Sequence, residues 1–311
     1  MFLFDERITI NDRALLEEYL QGYEYKTSGL SFSSLYMWRN INQFSWKVIG
    51  DHLCIAAADN LEEEMGKSFL FPPLTRTGSY DPDALRETIL TAKQAFEAKG
   101  EPFVMMLVPF HMLEIFEKAM PGKLSFEADR PNFDYVYDTQ ELIELKGKRF
   151  HPKRNHLNYF QNNYTYTYSE LTEEDEGEVM EFIRAFNKRK GLPPDSHEWE
   201  LLDMEMQAME DVMRNLSQVG YLTGAIRIDG KIEALSIGGR LGRKTVTVHV
   251  EKANIEYRGL YQAINNEFVT HMCPNVKRIN REEDMGIPGL RKAKLSYQPI
   301  KFIEKYIVRM R

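Results

Sequence analysis

The chain has 311 residues, 43% of them hydrophobic and 12% aromatic, enough to bury one or two cores of ordinary size. A formal charge of -7 excludes a protein that coats nucleic acid through its overall charge; a basic patch must be local, and no DNA partner is expected. No apolar run reaches the roughly 18 residues of a membrane span, the opening MFLFDERITIND turns acidic too early for an export signal, and Cys54 and Cys273 form neither a CxxC pair nor a disulfide framework. A cytoplasmic protein with reduced, buried cysteines is expected.

The first half opens with helical spacing over residues 12–23, where Ala14, Leu15, Tyr19 and Leu20 recur, followed by a second apolar stretch over 30–41. WKVIGDHLCIAA alternates about Gly50-Asp51 as a strand, tight turn and strand. SFLFPPL is extended. Residues 81–99 form a helix, capped at Asp81 with Pro82 in its first turn and ended by Gly100. FVMMLVPF is a buried strand, HMLEIFEKAM a short amphipathic helix and FDYVYD a further strand. Helices followed by alternating strands and helices indicate an α/β or α+β domain.

A basic segment, KGKRFHPKRNHLNYF at 146–160, marks the seam between halves. After it come the strand TYTYSEL, a helix from Thr172 to about Lys190 with an acidic first turn, and a second helix over about 197–217. Three strands follow, GYLTGAIRI, KIEALSIGGRL and KTVTVHVEKA, separated by turns at Asp229-Gly230 and Gly242-Arg243. A helix over 257–272, the strand VKRINRE, the short helix PGLRKAKLS and a last strand FIEKYIVRM complete the chain. The order of the second half is β, α, α, β, β, β, α, β, α, β.

That order is the order of the GNAT acyltransferase fold. FPPL at 71–74, the basic segment at 146–160, VHVEKAN at 248–254, RGLYQAIN at 258–265 and INREEDMGIPGLRKAKLSYQP at 279–299 carry a closer resemblance. From about Phe69 onward the chain resembles a bacterial family of uncharacterised proteins related to the C-terminal synthase domain of phosphatidylglycerol lysyltransferases, similar also to the Fem aminoacyltransferases. The resemblance implies two tandem GNAT domains, each a mixed central sheet flanked by helices: residues 1–145, a basic connecting helix at 146–163, and residues 164–311. It also implies a donor carried on CoA or tRNA and an amine or hydroxyl acceptor.

The donor site of a GNAT fold lies where the fourth strand gives way to a helix, because unpaired N–H groups and the positive end of the helix dipole attract phosphate. Here that junction offers Asn254, Arg258, Gly259, Leu260 and Tyr261, with Tyr261 standing where the usual signature has a second small residue, a departure that weakens binding of a CoA pyrophosphate. Gly259 reads equally as an ordinary helix start. Lys148, Arg149, Lys153 and Arg154, interleaved with aromatics, suit a tRNA acceptor arm or another polyanion, and equally a solvated interdomain helix. Arg291 and Lys294 lie on the helix after Pro288-Gly289, and the resemblance implies that Lys294 contacts the donor's phosphate or carbonyl. Glu283 or Asp284 at the strand end is placed to accept a proton from the acceptor, and the alternative is an ion-pair network locking strand to helix. Glu233 and His249 are further catalytic candidates, and period-two spacing sets Glu251 on the face of His249. No Ser/His/Asp order, phosphate-binding lysine loop or HExxH is present, and no metal is expected. Two functions fit: acyl or aminoacyl transfer, or a noncatalytic module that uses the same scaffold to hold a ligand or partner.

Overall fold

The computed structural model describes residues 3–21, 27–58, 68–193 and 196–311. In chain order the first elements are β1 (Glu6–Arg7), α1 (Arg13–Gln21), α2 (Phe32–Trp38), β2 (Ser45–Ile49), β3 (His52–Ala57), β4 (Phe69–Leu70), α3 (Pro82–Ala98), β5 (Val104–Pro109), α4 (Leu113–Ala119) and β6 (Leu124–Ala128). They are followed by β7 (Asp134–Asp138), α5 (Thr139–Glu144), α6 (His151–Asn163), β8 (Tyr166–Ser169), α7 (Glu176–Lys188), α8 (His197–Arg214), α9 (Leu216–Val219), β9 (Leu222–Ile228), β10 (Lys231–Arg240) and β11 (Thr245–Ala253). The chain ends with α10 (Leu260–Met272), β12 (Arg278–Asn280), α11 (Pro288–Leu295), β13 (Lys301–Ile303) and β14 (Lys305–Met310).

These elements make two seven-stranded mixed sheets, ordered β1-β2-β3-β4-β5-β14-β6 and β13-β7-β12-β11-β10-β9-β8. The chain divides into two compact units: unit 1 is residues 1–134, 283–288 and 302–311, and unit 2 is residues 135–282 and 289–301. This division differs from the one read from the sequence. FDYVYD, assigned there to the first half, supplies β7, which pairs with β12. FIEKYIVRM, read as one strand of the second half, is broken at Glu304 into β13 and β14, and β14 lies between β5 and β6 in the first sheet. Spacing along the chain gives a strand its faces but not its neighbours, so a strand joined through distant partners is assigned to the wrong sheet.

In unit 1, Asp81 caps α3 by accepting the Ala84 N–H at 2.8 Å. Leu85, Ile89, Ala92 and Phe96 then recur on one face and are fully buried against Cys54, Ala56, Leu70, Met105 and Val308. Each of the Leu, Ile and Phe side chains contributes about 1.5–3 kcal/mol through removal from water. In unit 2 the central helix is α10, whose Phe268 and Val269 pack on Val246, Val248 and Ile279, while its Leu260, Ala263 and Ile264 pack on Ala253 and on Phe150 and Phe160 beside and within α6. The positions of β11, β12, α6 and α10 set the site described next.

Candidate functional site in unit 2

Strands β11 and β12 run parallel and pair only through Thr245↔Arg278, Val246↔Ile279 and Thr247↔Asn280. Beyond Asn280 the ladder ends, and two irregularities account for the parting. On β11, the register with β10 slips: Gly238 pairs with Val248 and Ile237 with Val250, so His249 has no residue opposite it. Such a bulge bends its strand and re-aims a side chain. Gly238 makes it possible, since a Cβ there stands 2.4 Å from the Thr247 carbonyl oxygen. On the other side, Glu282 takes a positive φ of 55°, a costly conformation for a residue with a side chain. It is held by its own N–H, which donates to Asn280 Oδ1 at 2.8 Å, and by its carbonyl, which accepts from the Tyr135 N–H at 3.1 Å.

The two irregularities bring His249 Nδ1 to 2.8 Å from Glu282 Oε1. The imidazole is fully buried with Tyr221 edge-on to it, while the carboxylate is 17% exposed. Solvent therefore reaches the carboxylate and not the ring. Period-two spacing pointed instead to Glu251, and the bulge is why that pairing fails. Glu251 turns toward α10, where it accepts from Asn265 Nδ2 at 2.8 Å and from Arg281 Nη2 at 2.7 Å.

Glu233 and Asn254, read as a base and a donor contact, are partners of each other. Asn254 Nδ2 donates to Glu233 Oε2 at 2.8 Å, and Asn254 Oδ1 accepts the Glu256 N–H at 3.1 Å, which fixes the turn after β11. Gly259 has φ of +91°, and a Cβ on it stands 2.2 Å from the His156 carbonyl oxygen of α6. Leu260 is buried in the core, and the Tyr261 phenol is raised by burial, against a hydrogen bond to the Ala253 backbone. Arg258 lies with its guanidinium carbon 4.4 Å from the centre of the Tyr159 ring. The glycine at this helix start is thus demanded by the close approach of α6.

Much of the basic segment is committed within the fold. Arg149 pairs with Glu141, Arg154 donates to the Leu145 and Gly147 carbonyls, and Lys148 is exposed. Lys153 points inward, its Nζ 4.2 Å from the centre of the Tyr297 ring. Burial, then the Arg281 charge, opposed by Glu251, bring its amine down to about 8. Lys294 is buried on α11 and donates to the Arg281 carbonyl, while Arg291 lies half-buried on the same helix.

Glu283 and Asp284 belong to unit 1. Asp284 is fully buried, accepts from Arg130 Nη1 at 3.1 Å and takes the Gly286 N–H at 2.9 Å. Glu283 lies 3.4 Å from Lys305, whose ammonium is buried against Asp134; that carboxylate accepts the Ser28 N–H and hydroxyl at 2.8 and 2.9 Å. Both strand-end carboxylates that the sequence favoured therefore sit in ion pairs within unit 1, with Arg130 and Lys305 rather than with the helix α11 that follows them. Glu282, one position earlier, was not singled out. Its signal was weak: two acidic residues follow it, and nothing in their spacing tells which one turns toward His249.

Among the described residues, no group of three His, Cys, Asp or Glu side chains converges to hold a metal, and no helix is long and apolar enough to cross a membrane.

Two mixed sheets, the second with its bulged and parting parallel pair, define a tandem GNAT-type fold, and a tandem GNAT protein of the clavulanic acid biosynthesis pathway superimposes with TM-score 0.53 over 97% of each chain at 11% identity. Within that class the chain belongs to the family of the phosphatidylglycerol lysyltransferase C-terminal domain, whose model matches residues 21–309. A conserved protein of unknown function from Bacteroides thetaiotaomicron is 31% identical over 100% of both chains, with TM-score 0.88. The structure of L-PGS from Bacillus licheniformis aligns with TM-score 0.65 at 14% identity, covering 99% of this chain and 94% of that one. A curated relative, an uncharacterised protein of Mycoplasmoides gallisepticum, is 25% identical over 180 residues, 57% of this chain; the match spans 56% of that relative's length.

Proposed function

We propose that unit 2 carries an acyl- or aminoacyl-transfer centre in which Glu282 is the general base and His249 its positioning residue. The observation that carries this reading is the His249–Glu282 contact, built from a bulge and a left-handed residue at the point where β11 and β12 part. Backbone strain of this kind persists only where surrounding structure enforces it, and it concentrates at sites of chemistry. In the proposed step an amine or hydroxyl attacks the donor's carbonyl carbon as its proton passes to Glu282. The new bond to the acceptor forms, the bond from carbonyl carbon to carrier breaks, and the leaving carrier atom takes the proton. Neither a covalent intermediate nor a metal is required; positioning supplies much of the rate.

The carrier favoured is an aminoacyl-tRNA. A CoA pyrophosphate seated at the start of α10 would meet the backbone of α6, which already lies against Gly259. The family, which takes its name from an aminoacyl transfer, supports the same choice. The test is transfer of labelled aminoacyl groups from a mixed aminoacyl-tRNA pool, with acyl-CoAs in parallel, to a panel of amines and phospholipid vesicles. Transfer that Glu282→Gln lowers at least a hundredfold supports the reading. A noncatalytic module is the second reading, favoured by the Arg281–Glu251 ion pair that already spans the opening between β11 and β12. Donor binding without transfer to any acceptor would select it.

A further inference from the structure

Beside Glu282 in sequence stands a cluster that the transfer step does not use. The Tyr297 ring has the Lys153 Nζ 4.2 Å and the Arg281 guanidinium carbon 4.7 Å from its centre. Arg281 and Gln262 also hydrogen-bond the Tyr297 hydroxyl, whose pKa burial pushes up to about 12. Two cations thus meet at one ring, and the carboxylate facing them is Glu251, already engaged by Asn265 and by Arg281 Nη2. Arg281 Nη1 is buried and has no hydrogen-bond partner. Burial first, and then the neighbouring guanidinium, hold the Lys153 amine near 8. Counting Lys153 and Arg281 against Glu251 leaves one positive charge in excess.

We propose that Lys153, Arg281 and Tyr297 form a site for a single phosphodiester group. The excess of one charge matches a phosphodiester, which is singly ionised at any working pH. Geometry selects it over a carboxylate. The fork-to-fork pairing that makes Arg a good carboxylate binder needs two parallel N–H groups, and here Nη2 is spent on Glu251. What is left, one guanidinium nitrogen and one ammonium disposed about a ring, suits a tetrahedral group whose oxygens point in different directions. The proposal draws on the transfer reading only in naming the carrier nucleic acid as the natural source; inorganic phosphate is the other source of the same chemistry.

The test follows the Lys153 side chain by NMR in protein carrying labelled lysine, its signal assigned by loss in Lys153→Met. At matched ionic strength, dimethyl phosphate and inorganic phosphate should each raise the Lys153 pKa by about one unit, equivalent to tenfold tighter binding to the protonated form. Acetate should leave it in place. Lys153→Met, in which the cluster loses a charge but no buried partner is stranded, should abolish the phosphate-dependent rise in melting temperature. An acceptor-arm RNA hairpin that binds at least tenfold more weakly to Lys153→Met identifies the carrier as the source, and phosphate binding with unchanged RNA binding identifies free phosphate. A Lys153 pKa that ignores both phosphates, or follows acetate equally, overturns the site. Phosphate-dependent shifts in a protein that transfers nothing would leave this site standing and remove only the transfer reading.

Discussion

Substituting Gly259 by Ala separates a phosphate-binding glycine from a packing one. The residue sits at φ of +91°, and its Cβ would stand 2.2 Å from the His156 carbonyl oxygen and 3.1 Å from the Phe160 Cβ. Two costs add. A left-handed conformation costs a residue with a side chain about 1–2 kcal/mol. Contact at 2.2 Å with backbone cannot be relieved by a rotamer change, so α6 must move by most of an ångström, and overpacking of this kind costs about 1–3 kcal/mol. A total of about 3 kcal/mol corresponds to a fall in melting temperature of about 6–12 °C for a body of this size. Circular dichroism melts of Gly259→Ala and the parent protein measure it. The displacement should also carry Lys153 off the Tyr297 ring, so the variant should lose the phosphate-dependent shift. A melting temperature within 2 °C of the parent, combined with weakened donor binding, would refute the packing account and return Gly259 to a phosphate-contacting role.

Glu282→Gln keeps shape and removes the base; transfer should fall about 10²–10⁴-fold while the melting temperature changes by no more than about 2 °C. Lys305→Met strands the fully buried Asp134 carboxylate and should destabilise unit 1 by about 3–5 kcal/mol, with the Lys305→Met, Asp134→Asn pair recovering most of the loss in denaturant titrations. Lys153 has its pKa lowered from 10.5 to about 8, so between those values the unfolded chain holds a proton that the folded chain has released, and stability rises with pH across that window. Because Lys153 is only partly buried, the rise attributable to it is discounted to about 1–2 kcal/mol. It should vanish in Lys153→Met when urea midpoints are compared at pH 7.5 and pH 10. If parent and variant show the same pH dependence, the amine is ordinarily solvated.

Local chemistry made much of the fold legible. Asp81-Pro82 announced α3, Gly50-Asp51 and Asp229-Gly230 announced hairpins, and alternating VTVHV announced β11. What the sequence withheld was non-local or irregular. LSFEA, a short half-exposed strand, carries too little apolar alternation to show as β6, and TQELIE is too brief to show as α5. FIEKYIVRM alternates continuously, so nothing in it reveals the break at Glu304. The site escapes the sequence for a similar reason. Strict alternation joins His249 to Glu251, but one extra residue at the bulge turns them apart, and a left-handed Glu282 supplies the partner instead. The basic segment was visible as charge, while its division into capping, paired and inward-facing residues depends on α6 lying against α10.

The placement of β14 between β5 and β6 bears on how the protein comes into being on the ribosome. Most of unit 1 lies ahead of unit 2 in the chain, yet its sheet lacks an interior strand until residues 305–310 emerge. Until then β5 and β6 present unsatisfied edges to other nascent chains. Residues 135–282, by contrast, supply nearly the whole second sheet in one uninterrupted run. The half synthesised first is therefore expected to be the half completed last, reversing the usual vectorial order and making the early chain the natural client of a chaperone.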